Sequence, residues 1–165
     1  MGMSVTISVA TEQDVEQIFR LQYLCFQSEA ALYGNYRIDP LVQSLDSVRA
    51  EVASDCVFVA RLGEEVVGSV RGRVTEDGAA AIGKLCVHPR LQGHGIGARL
   101  LRAAESALAE ERGAKKFRLF TGHRSEGNLR LYRRVGYETV GTSKGDDGVP
   151  MIILEKPAGT YATTA

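Results

Sequence analysis

The chain has 165 residues, and its 20 basic and 20 acidic side chains cancel. A net charge of zero creates no overall field that would favour nucleic acid or an anionic membrane, so neither is expected as a partner. No apolar run approaches the roughly 20 residues that span a bilayer, and the first residues lack a leader pattern, so we expect a cytoplasmic protein.

Length and cysteine content suit one intracellular domain. A chain of this length buries a substantial core, and we expect a single domain over residues 1–157 followed by a flexible tail over 158–165. The three cysteines, Cys25, Cys56 and Cys86, form neither an even disulfide framework nor a close-spaced metal pair. They are predicted to be reduced, mostly buried thiols, and no metal site is expected.

The first third of the chain predicts one strand followed by helices. Residues 4–10 alternate as in a strand, and Thr11 with Asp14 resembles a capping box that opens a helix. The apolar residues of that helix share one face: Val15, Ile18, Leu21 and Cys25. Residues 28–40 contain a glycine, an asparagine and a proline, which suits a loop or a broken helix, and residues 41–54 resume a helical pattern.

The middle of the chain predicts a meander and then a long helix. Three segments rich in β-branched residues, 56–61, 64–74 and 79–88, are separated by short turns and are predicted to form an antiparallel meander. After a glycine-rich stretch, apolar residues recur at helical spacing up to a stop near Gly113. These residues are Gly97, Leu100, Leu101, Ala104, Ala107 and Leu108, whereas Arg99, Arg102, Glu105 and Glu110 are expected on the other faces.

The last third of the chain predicts three strands and a short helix. The strands cover residues 115–121, 137–143 and 149–155, the last two around a turn at 145–148, and the helix covers 128–136. The strand, helix and strand in the middle of the chain form a crossover unit with parallel strands. The predicted fold class is therefore α/β (α+β): a mixed, largely antiparallel sheet of six to seven strands with a central β-α-β crossover and flanking helices.

The stretch LCVHPRLQGHGIGARLL, residues 85–101, connects a predicted strand to the long helix. A helix N-terminus has unsatisfied N–H groups and a partial positive charge, so it favours an anion, above all phosphate. Gly93, Gly95 and Gly97 would let successive amides converge on a pyrophosphate, and Gln92 would add a neutral donor. The alternative is a turn with a tight contact between helix and sheet, which explains one glycine more easily than three.

Two well-known phosphate-binding motifs fit this stretch poorly. A P-loop requires a lysine and a hydroxyl residue directly after its glycines, and Ala98 and Arg99 stand there instead. A dinucleotide-binding fold could use Gly93 and Gly95, but its third glycine position falls on Ala98, and no first βαβ unit with the expected acidic residue is evident. A nicotinamide enzyme is therefore kept only as a third alternative.

The same stretch resembles the acetyl-coenzyme A binding motif of the GNAT superfamily of N-acetyltransferases, V-x-P-x-x-Q/R-G-x-G-x-G/A followed by a helix. A second segment, LYRRVGYE, is similar to the later LYxxxGF segment of that family. The matching positions are Val87, Pro89, Gln92, Gly93, Gly95 and Gly97 in the first motif, and Leu131, Tyr132, Gly136 and Tyr137 in the second. The order of predicted elements also resembles the family's fold over nearly the whole chain, although the first 55 residues match only in pattern.

The resemblance implies acetyl-coenzyme A as the cofactor and indicates which residues bind it. The strand before the glycines would carry a bulge where it splays from the next strand, leaving a gap for pantetheine. There the backbone of Leu85, Cys86 and Val87 would bind the pantetheine amides and stabilise the oxyanion formed on amine attack. The diphosphate would lie against the loop and the first helical turn, formed by Gln92, Gly93, His94, Gly95, Ile96, Gly97 and Ala98.

Tyr132 corresponds to the family's general acid, which protonates the departing thiolate. A phenol with its usual pKa near 10 is protonated at neutral pH, as an acid must be, although a tyrosine at this position also suits a core. Many family members place an asparagine seven positions earlier to hold pantetheine, whereas this chain has Ser125 there and Asn128 four positions before Tyr132. Either residue is a candidate for contact with the cofactor, and helix capping is the alternative for both.

The resemblance defines the acceptor site less well. Some relatives carry a catalytic glutamate on the strand before the glycine motif, but the matching region here has no carboxylate. Glu29 and Tyr33 lie in the loop segment that lines the family's acceptor site, so they are candidates for binding a cationic amine, and His123 is a candidate for proton relay. The alternatives are a solvated Glu29, a packed Tyr33 and an exposed His123. An acyl intermediate on Cys86 lacks a motif-matched base, so direct transfer is favoured.

The resulting prediction is an acyltransferase of the N-acetyltransferase class. It would transfer an acetyl group from acetyl-coenzyme A to the primary amine of a small-molecule or peptide acceptor, by direct attack in a ternary complex. The alternative is a non-catalytic module that binds or senses acyl-coenzyme A. An edge strand or the final hairpin is a candidate surface for a homodimer.

Overall fold

The structure, a computed structural model, describes residues 4–145 and 148–159. Its strands are β1 (Val5–Val9), β2 (Cys56–Leu62), β3 (Glu65–Val74), β4 (Ala79–Val87), β5 (Lys116–Gly122), β6 (Glu138–Lys144) and β7 (Pro150–Pro157). Its α-helices are α1 (Val15–Cys25), α2 (Gln27–Tyr33), α3 (Asp39–Val42), α4 (Leu45–Ser54), α5 (Ile96–Glu110) and α6 (Glu126–Arg134). Within the described residues, no helix is both long and apolar enough to cross a bilayer.

The strands form a seven-stranded sheet with the order β1-β2-β3-β4-β5-β7-β6. β4 and β5 are parallel, from Ala79 opposite Lys116 to Ile82 opposite Leu119, as the crossover unit predicted. The β1–β2, β2–β3, β5–β7 and β6–β7 pairs are antiparallel. The predicted fold class, a mixed and largely antiparallel sheet with a central β-α-β crossover and flanking helices, is therefore confirmed.

The chain divides into two compact units. The first unit comprises the residues up to Gly72 together with Lys84–Ala104, and the second comprises Arg73–Gly83 together with the residues from Glu105 onward. The divisions fall inside β3, β4 and α5 rather than in loops.

In the first unit, α1 begins and packs as its sequence predicts. The N–H of Thr11 donates to Asp14 Oδ2 at 2.8 Å, which is one arm of the predicted capping box. The predicted apolar face supplies three buried residues, and these belong to a core cluster drawn from α1, α4, β2, β3, β4 and the end of β1. The cluster consists of Ala10, Val15, Ile18, Leu21, Val48, Val57, Val59, Val66 and Cys86.

The segment between α1 and β2 is more helical than the loop prediction allowed. Residues 27–33 form α2, which ends where Gly34 takes a φ of 62°, a left-handed C-cap. The helix predicted over 41–54 begins at Leu45, because Ser44 is extended and its Oγ accepts a hydrogen bond from the N–H of Ser47 at 3.1 Å. The broken-helix alternative for residues 28–40 is therefore the correct one.

Helix α5 buries four of the six residues predicted on its apolar face, together with one charged residue expected elsewhere. Leu100, Leu101, Ala104 and Leu108 are buried, as their spacing predicts. Glu105, expected on another face, is fully buried. It lies four residues after Leu101 and three before Leu108, so helical geometry puts it on the apolar face, and its charge is met by partners from distant segments.

In the second unit, β7 pairs with both β5 and β6. The predicted turn at 145–148 closes with the N–H of Gly145 donating to the carbonyl of Val149 at 3.0 Å, and residues 146–147 lie outside the described residues. Of the predicted tail, Ala158 is buried and its N–H donates to the Lys115 carbonyl at 3.1 Å. Residues 160–165 of that tail lie outside the described residues.

Candidate active site

The carboxyl-terminal end of β4 leads into the glycine-rich turn. Lys84 has a φ of 50°, a left-handed conformation that is uncommon for residues other than glycine. This irregularity immediately precedes Leu85, Cys86 and Val87, the segment for which a bulge was predicted. Leu85 and Val87 are half-buried, and Cys86 is buried. The departure from regular strand geometry thus lies next to the predicted pantetheine strand.

Cys86 lies in a small polar niche of the first unit. Its Sγ is 3.8 Å from Ser69 Oγ, and Cys25 Sγ donates to the carbonyl of Val87 at 3.4 Å. The neighbouring Cys25 thiol lowers the pKa of Cys86, burial opposes this, and Ser69 and Arg71 add to the lowering. The neighbouring Cys86, together with burial, raises the pKa of Cys25. Within the described residues none of the three cysteines forms a disulfide; Cys56 and Cys86 are buried and Cys25 is half-buried.

A short 3-10 turn at Pro89–Leu91 redirects the chain after β4. The N–H of His88 donates to a carbonyl of β3 at 2.8 Å, and its Nδ1 accepts a hydrogen bond from the N–H of Arg90 at 3.2 Å. Gln92 Nε2 donates to the carbonyl of Val87 at 3.4 Å. Gln92, predicted as a donor to phosphate, therefore connects the glycine turn to the end of β4 in this structure.

Gly93 and Gly95 have φ angles of 85° and 79°, in the left-handed region that favours glycine. Turn geometry therefore accounts for two of the three glycines, one more than we expected from a turn alone. Apart from the glycine itself and its two chain neighbours, no described heavy atom lies within 4 Å of the place that a Cβ would take on either residue. His94, between them, is exposed. The space outside this backbone is open, which fits the approach of a ligand.

Helix α5 begins directly after these glycines. Its first helical hydrogen bond runs from the N–H of Arg99 to the carbonyl of Gly95 at 3.1 Å. The N–H groups of Ile96, Gly97 and Ala98 precede that bond and have no acceptor within the helix. Because the side chain of Ile96 is buried, only its backbone is available to a ligand. Together with the partial positive charge of a helix start, these N–H groups suit an anion.

The predicted residues of the second unit lie on or near α6. Tyr132 is buried, and its ring centre is 6.1 Å from that of Tyr137. Ser125 is buried at the N-cap position, but its side chain makes no capping hydrogen bond to the described residues of α6. Asn128 Nδ2 donates to Thr121 Oγ1 of β5 at 3.4 Å. Helix capping by its side chain therefore does not explain the serine at position 125.

The predicted acceptor residues fall on different elements. Glu29 and Tyr33, expected in a loop, lie on α2, four residues apart and so on the same helix face. Both are half-buried. His123 follows β5, is exposed, and its Nδ1 lies 3.2 Å from the carbonyl oxygen of Pro150. Glu29 and Tyr33 thus share one surface of the first unit, and His123 belongs to the second.

A buried ionic cluster in the first unit was not predicted from the sequence. Arg71 of β3 is 4% exposed, and its Nη atoms contact two amides and one carboxylate: Gln22, Gln43 and Glu51. Lys84 Nζ lies 3.3 Å from Glu51 Oε2. Burial lowers the pKa of Arg71, and the charge of Glu51 opposes that effect. The sequence signal that could have indicated this cluster is Arg71 itself, an arginine in the middle of the otherwise mostly apolar strand β3.

Comparison with known proteins agrees with this geometry. A profile described as the acetyltransferase (GNAT) family matches residues 15–137. No curated protein sequence matches the chain significantly.

Solved structures with a similar fold are known. One is the PaiA N-acetyltransferase of Thermoplasma acidophilum in complex with coenzyme A: 18% identity, TM-score 0.78, covering 94% of this chain and 99% of that one. Another is the ribosomal-protein-S18-alanine N-acetyltransferase of Escherichia coli: 18% identity, TM-score 0.74, covering 94% of each chain. A third is the aminoglycoside acetyltransferase AAC(6')-Ib in complex with coenzyme A: 22% identity, TM-score 0.70, covering 98% of this chain and 99% of that one.

The fold and the matched region define an acyltransferase. The chain belongs to the acetyltransferase (GNAT) family, since the family profile covers most of its length. The family and the enzyme class that the two motifs predicted are thereby confirmed.

Proposed function

We propose that this chain transfers an acetyl group from acetyl-coenzyme A to the primary amine of a small-molecule or peptide acceptor, by direct attack in a ternary complex. The observation that carries the proposal is the start of α5. There, two left-handed glycines with open space beside them precede three N–H groups that have no acceptor within the helix. Membership of the acetyltransferase family supports the choice of cofactor.

The residues of this turn fit coenzyme A. The N–H groups of Ile96, Gly97 and Ala98 would hold the diphosphate, because a helix start favours an anion and the two glycines before this one have open space at their Cβ positions. His94 and Gln92 flank this site. Backbone groups of residues 85–87 would hold the pantetheine arm. When bound, acetyl-coenzyme A supplies a thioester whose acetyl group an amine can attack.

Tyr132 is proposed to deliver a proton to the departing sulfur. Phenols ordinarily remain protonated at neutral pH. Burial of Tyr132 would keep bulk water from competing with the departing sulfur for the phenol's hydrogen bond. Ser125 and Asn128 are proposed as polar contacts for the pantetheine arm. For the acceptor amine we propose Glu29 and Tyr33 as binding residues and His123 as a proton relay.

The acceptor remains open at the level of chemical class. The similar structures include an enzyme named for a ribosomal protein's alanine and one named for aminoglycosides. The same fold therefore serves acceptors of very different size, and a primary amine is the feature on which a search should be based.

Ligand-dependent melting tests the cofactor. Acetyl-coenzyme A at about 100 times its dissociation constant should stabilise the folded chain by about 2.7 kcal/mol. For a chain of this size that corresponds to a rise of roughly 5–10 °C in Tm. NAD at the same concentration should produce no rise. A rise in Tm with NAD and none with acetyl-coenzyme A would contradict this cofactor and favour the nicotinamide alternative.

Turnover tests the reaction. Release of coenzyme A thiol should be measured over a library of primary amines for the natural chain, for Tyr132→Phe and for Tyr23→Phe, an exposed control. Loss of a general acid should lower kcat by roughly 10²–10⁴ in Tyr132→Phe, with binding of acetyl-coenzyme A retained. If no amine is turned over, the non-catalytic binding module is indicated. If Tyr132→Phe is fully active, a different residue is the acid.

Assembly and location complete the proposal. β6 lies at one end of the strand order, and its Val140 is exposed, so we propose that this edge pairs with a second copy. Light scattering should report a dimer for the natural chain and a monomer for Val140→Lys. A cytoplasmic location stays a prediction, which the three free thiols support and cell fractionation would test.

A further inference from the structure

Glu105 is a fully buried carboxylate of the second unit that the proposed reaction does not use. Its Oε2 accepts a hydrogen bond from Tyr137 Oη at 2.6 Å, and its Oε1 lies 2.8 Å from Lys156 Nζ. A carboxylate is stable away from water only when its charge and its hydrogen bonds are met within the protein. These three side chains, from α5, the residue before β6 and β7, therefore depend on one another.

Lys156 connects this group to the carboxyl end of α6. Its Nζ donates to the carbonyl of Val135, the C-cap residue, at 3.0 Å, where a cation is favoured by the helix dipole. The same Nζ lies 5.0 Å from the centre of the Tyr137 ring. Gly136 has a φ of 106°, and a Cβ there would be only 3.1 Å from Lys156 Cδ. The glycine of the second sequence motif thus makes room for the lysine stem.

Tyr137 in turn packs against Tyr132. The N–H of Tyr137 donates to the carbonyl of Tyr132 at 2.9 Å. The two rings are tilted by 59° with centres 6.1 Å apart, within the range that aromatic pairs favour. Tyr137 is therefore fixed at its hydroxyl by Glu105 and at its backbone by Tyr132, and its ring is part of the wall against which the Tyr132 ring rests.

We infer that Glu105, Tyr137 and Lys156 are positioning residues that fix the orientation of the Tyr132 phenol. The inference rests on the proposed function, in which Tyr132 is the general acid. A proton donor must lie within hydrogen-bond reach of the atom it protonates, and a misplacement of about 1 Å can lower the rate about a hundredfold. Loosening the Tyr137 ring should therefore reduce kcat through Tyr132.

The test compares one substitution in two backgrounds. Tyr137→Phe removes a single hydroxyl, and thiol release is measured with acetyl-coenzyme A and the best amine of the library. In the natural chain we expect kcat to fall at least tenfold, with KM for acetyl-coenzyme A changed by less than twofold. In the Tyr132→Phe background we expect no further fall. An equal loss in both backgrounds would mean a general structural role and would overturn the inference.

A readout that does not depend on turnover is the ¹⁹F NMR spectrum of the chain labelled with 3-fluorotyrosine. The Tyr132 signal is identified by its absence from Tyr132→Phe. It should shift or broaden in Tyr137→Phe and in Glu105→Gln, and stay unchanged in the exposed control Tyr23→Phe. An unchanged Tyr132 signal in a folded Tyr137→Phe variant would also overturn the inference.

The two proposals fail in different ways. Full turnover by Tyr132→Phe would remove the general-acid role, and the positioning role with it. A strong loss in Tyr132→Phe together with unchanged kcat in Tyr137→Phe would leave the proposed function standing and remove the positioning role alone.

Discussion

At the scale of single residues, Gly95 connects the geometry of the turn to the helix that follows. Its φ of 79° strains any residue with a Cβ, while the open space beside it means that a methyl group would meet no clash. Gly95→Ala should therefore lower the free energy of unfolding by about 1–2 kcal/mol. It should also weaken the stabilisation by acetyl-coenzyme A. Urea unfolding with and without the cofactor measures both effects.

Gly127 is the matched control for this prediction. It lies within α6, where its backbone is helical. Apart from its chain neighbours and the backbone of α6 itself, no described heavy atom lies within 4 Å of its Cβ position. Gly127→Ala should raise the free energy of unfolding by about 0.5–1 kcal/mol, because alanine is the better helix former. Equal losses at both glycines would contradict the explanation by backbone conformation.

Residue identity predicted the glycine turn before α5 better than it predicted the buried charges. Glycine is the residue that most readily takes a left-handed backbone, so alternate glycines ahead of an amphipathic helix located the turn without a structure. Glu105 was expected on a face other than the apolar one, whereas it is buried, which a carboxylate almost never is unless it is paired. Its partners Tyr137 and Lys156 are 32 and 51 residues away in the chain, and no local pattern reveals a pairing over that distance.

At the scale of elements, the start of α1 is bound to β2 by one ion pair. Arg61 donates to both carboxylate oxygens of Asp14, at 2.7 and 2.6 Å. Burial acts to raise the pKa of Asp14, but hydrogen bonds from Arg61 and from Thr11 outweigh it and leave the pKa below its usual value. The stability from this pair should be complete above the pKa of an unfolded aspartate, about 3.9, and be lost as pH falls through the lower folded value.

Asp14→Asn tests this linkage. At pH 7 it should lower the free energy of unfolding by about 1.5–3 kcal/mol, the usual contribution of hydrogen bonds to charged groups. The difference from the natural chain should shrink as pH is lowered below about 4, because the aspartate of the unfolded chain then binds a proton while folded Asp14 still keeps its charge. Urea unfolding of both chains at several pH values measures this difference in the free energy of unfolding. Glu16→Gln, which removes an exposed ion pair with Arg20, should change stability by less than about 1 kcal/mol.

Helices and strands with a strong period were predictable, and short helices were not. β5, α5 and α6 lie within a few residues of their predicted positions, because alternation or helical spacing continues over the whole element. α2 and α3 have seven and four residues, too few for a helical period to show. α2 ends at a left-handed Gly34 and α3 at an extended Gln43, and each of these is the conformation of a single residue.

At the scale of the whole molecule, we propose that the two units unfold together as the single domain predicted over residues 1–157. Domain boundaries usually fall in exposed linkers, whereas here they fall inside β3, β4 and α5. Calorimetry should therefore record one transition. Two separable transitions would contradict the prediction and would identify each unit as a domain.

Glu51→Gln makes this test sharper, because its effect begins in the first unit alone. The substitution leaves Arg71 and Lys84 without their shared carboxylate, and removing one partner of a buried pair costs about 3–5 kcal/mol. That corresponds to a fall of roughly 6–20 °C in Tm. The whole unfolding transition should move to lower temperature. If only part of the absorbed heat moves to lower temperature, the two units unfold independently. Asp46→Asn, at an exposed carboxylate, should leave Tm unchanged.

The strand order has a consequence for synthesis of the chain. β7 lies between β5 and β6 in the sheet, although it is synthesised after both. Neither β5 nor β6 can therefore pair with β7 until the end of the chain has been made. At the usual speed of translation the interval from Gly122 to Pro157 lasts roughly 2–7 s. During that time the nascent chain presents an unpaired β5 edge, and ribosomes that stall before β7 emerges would release a product prone to aggregation.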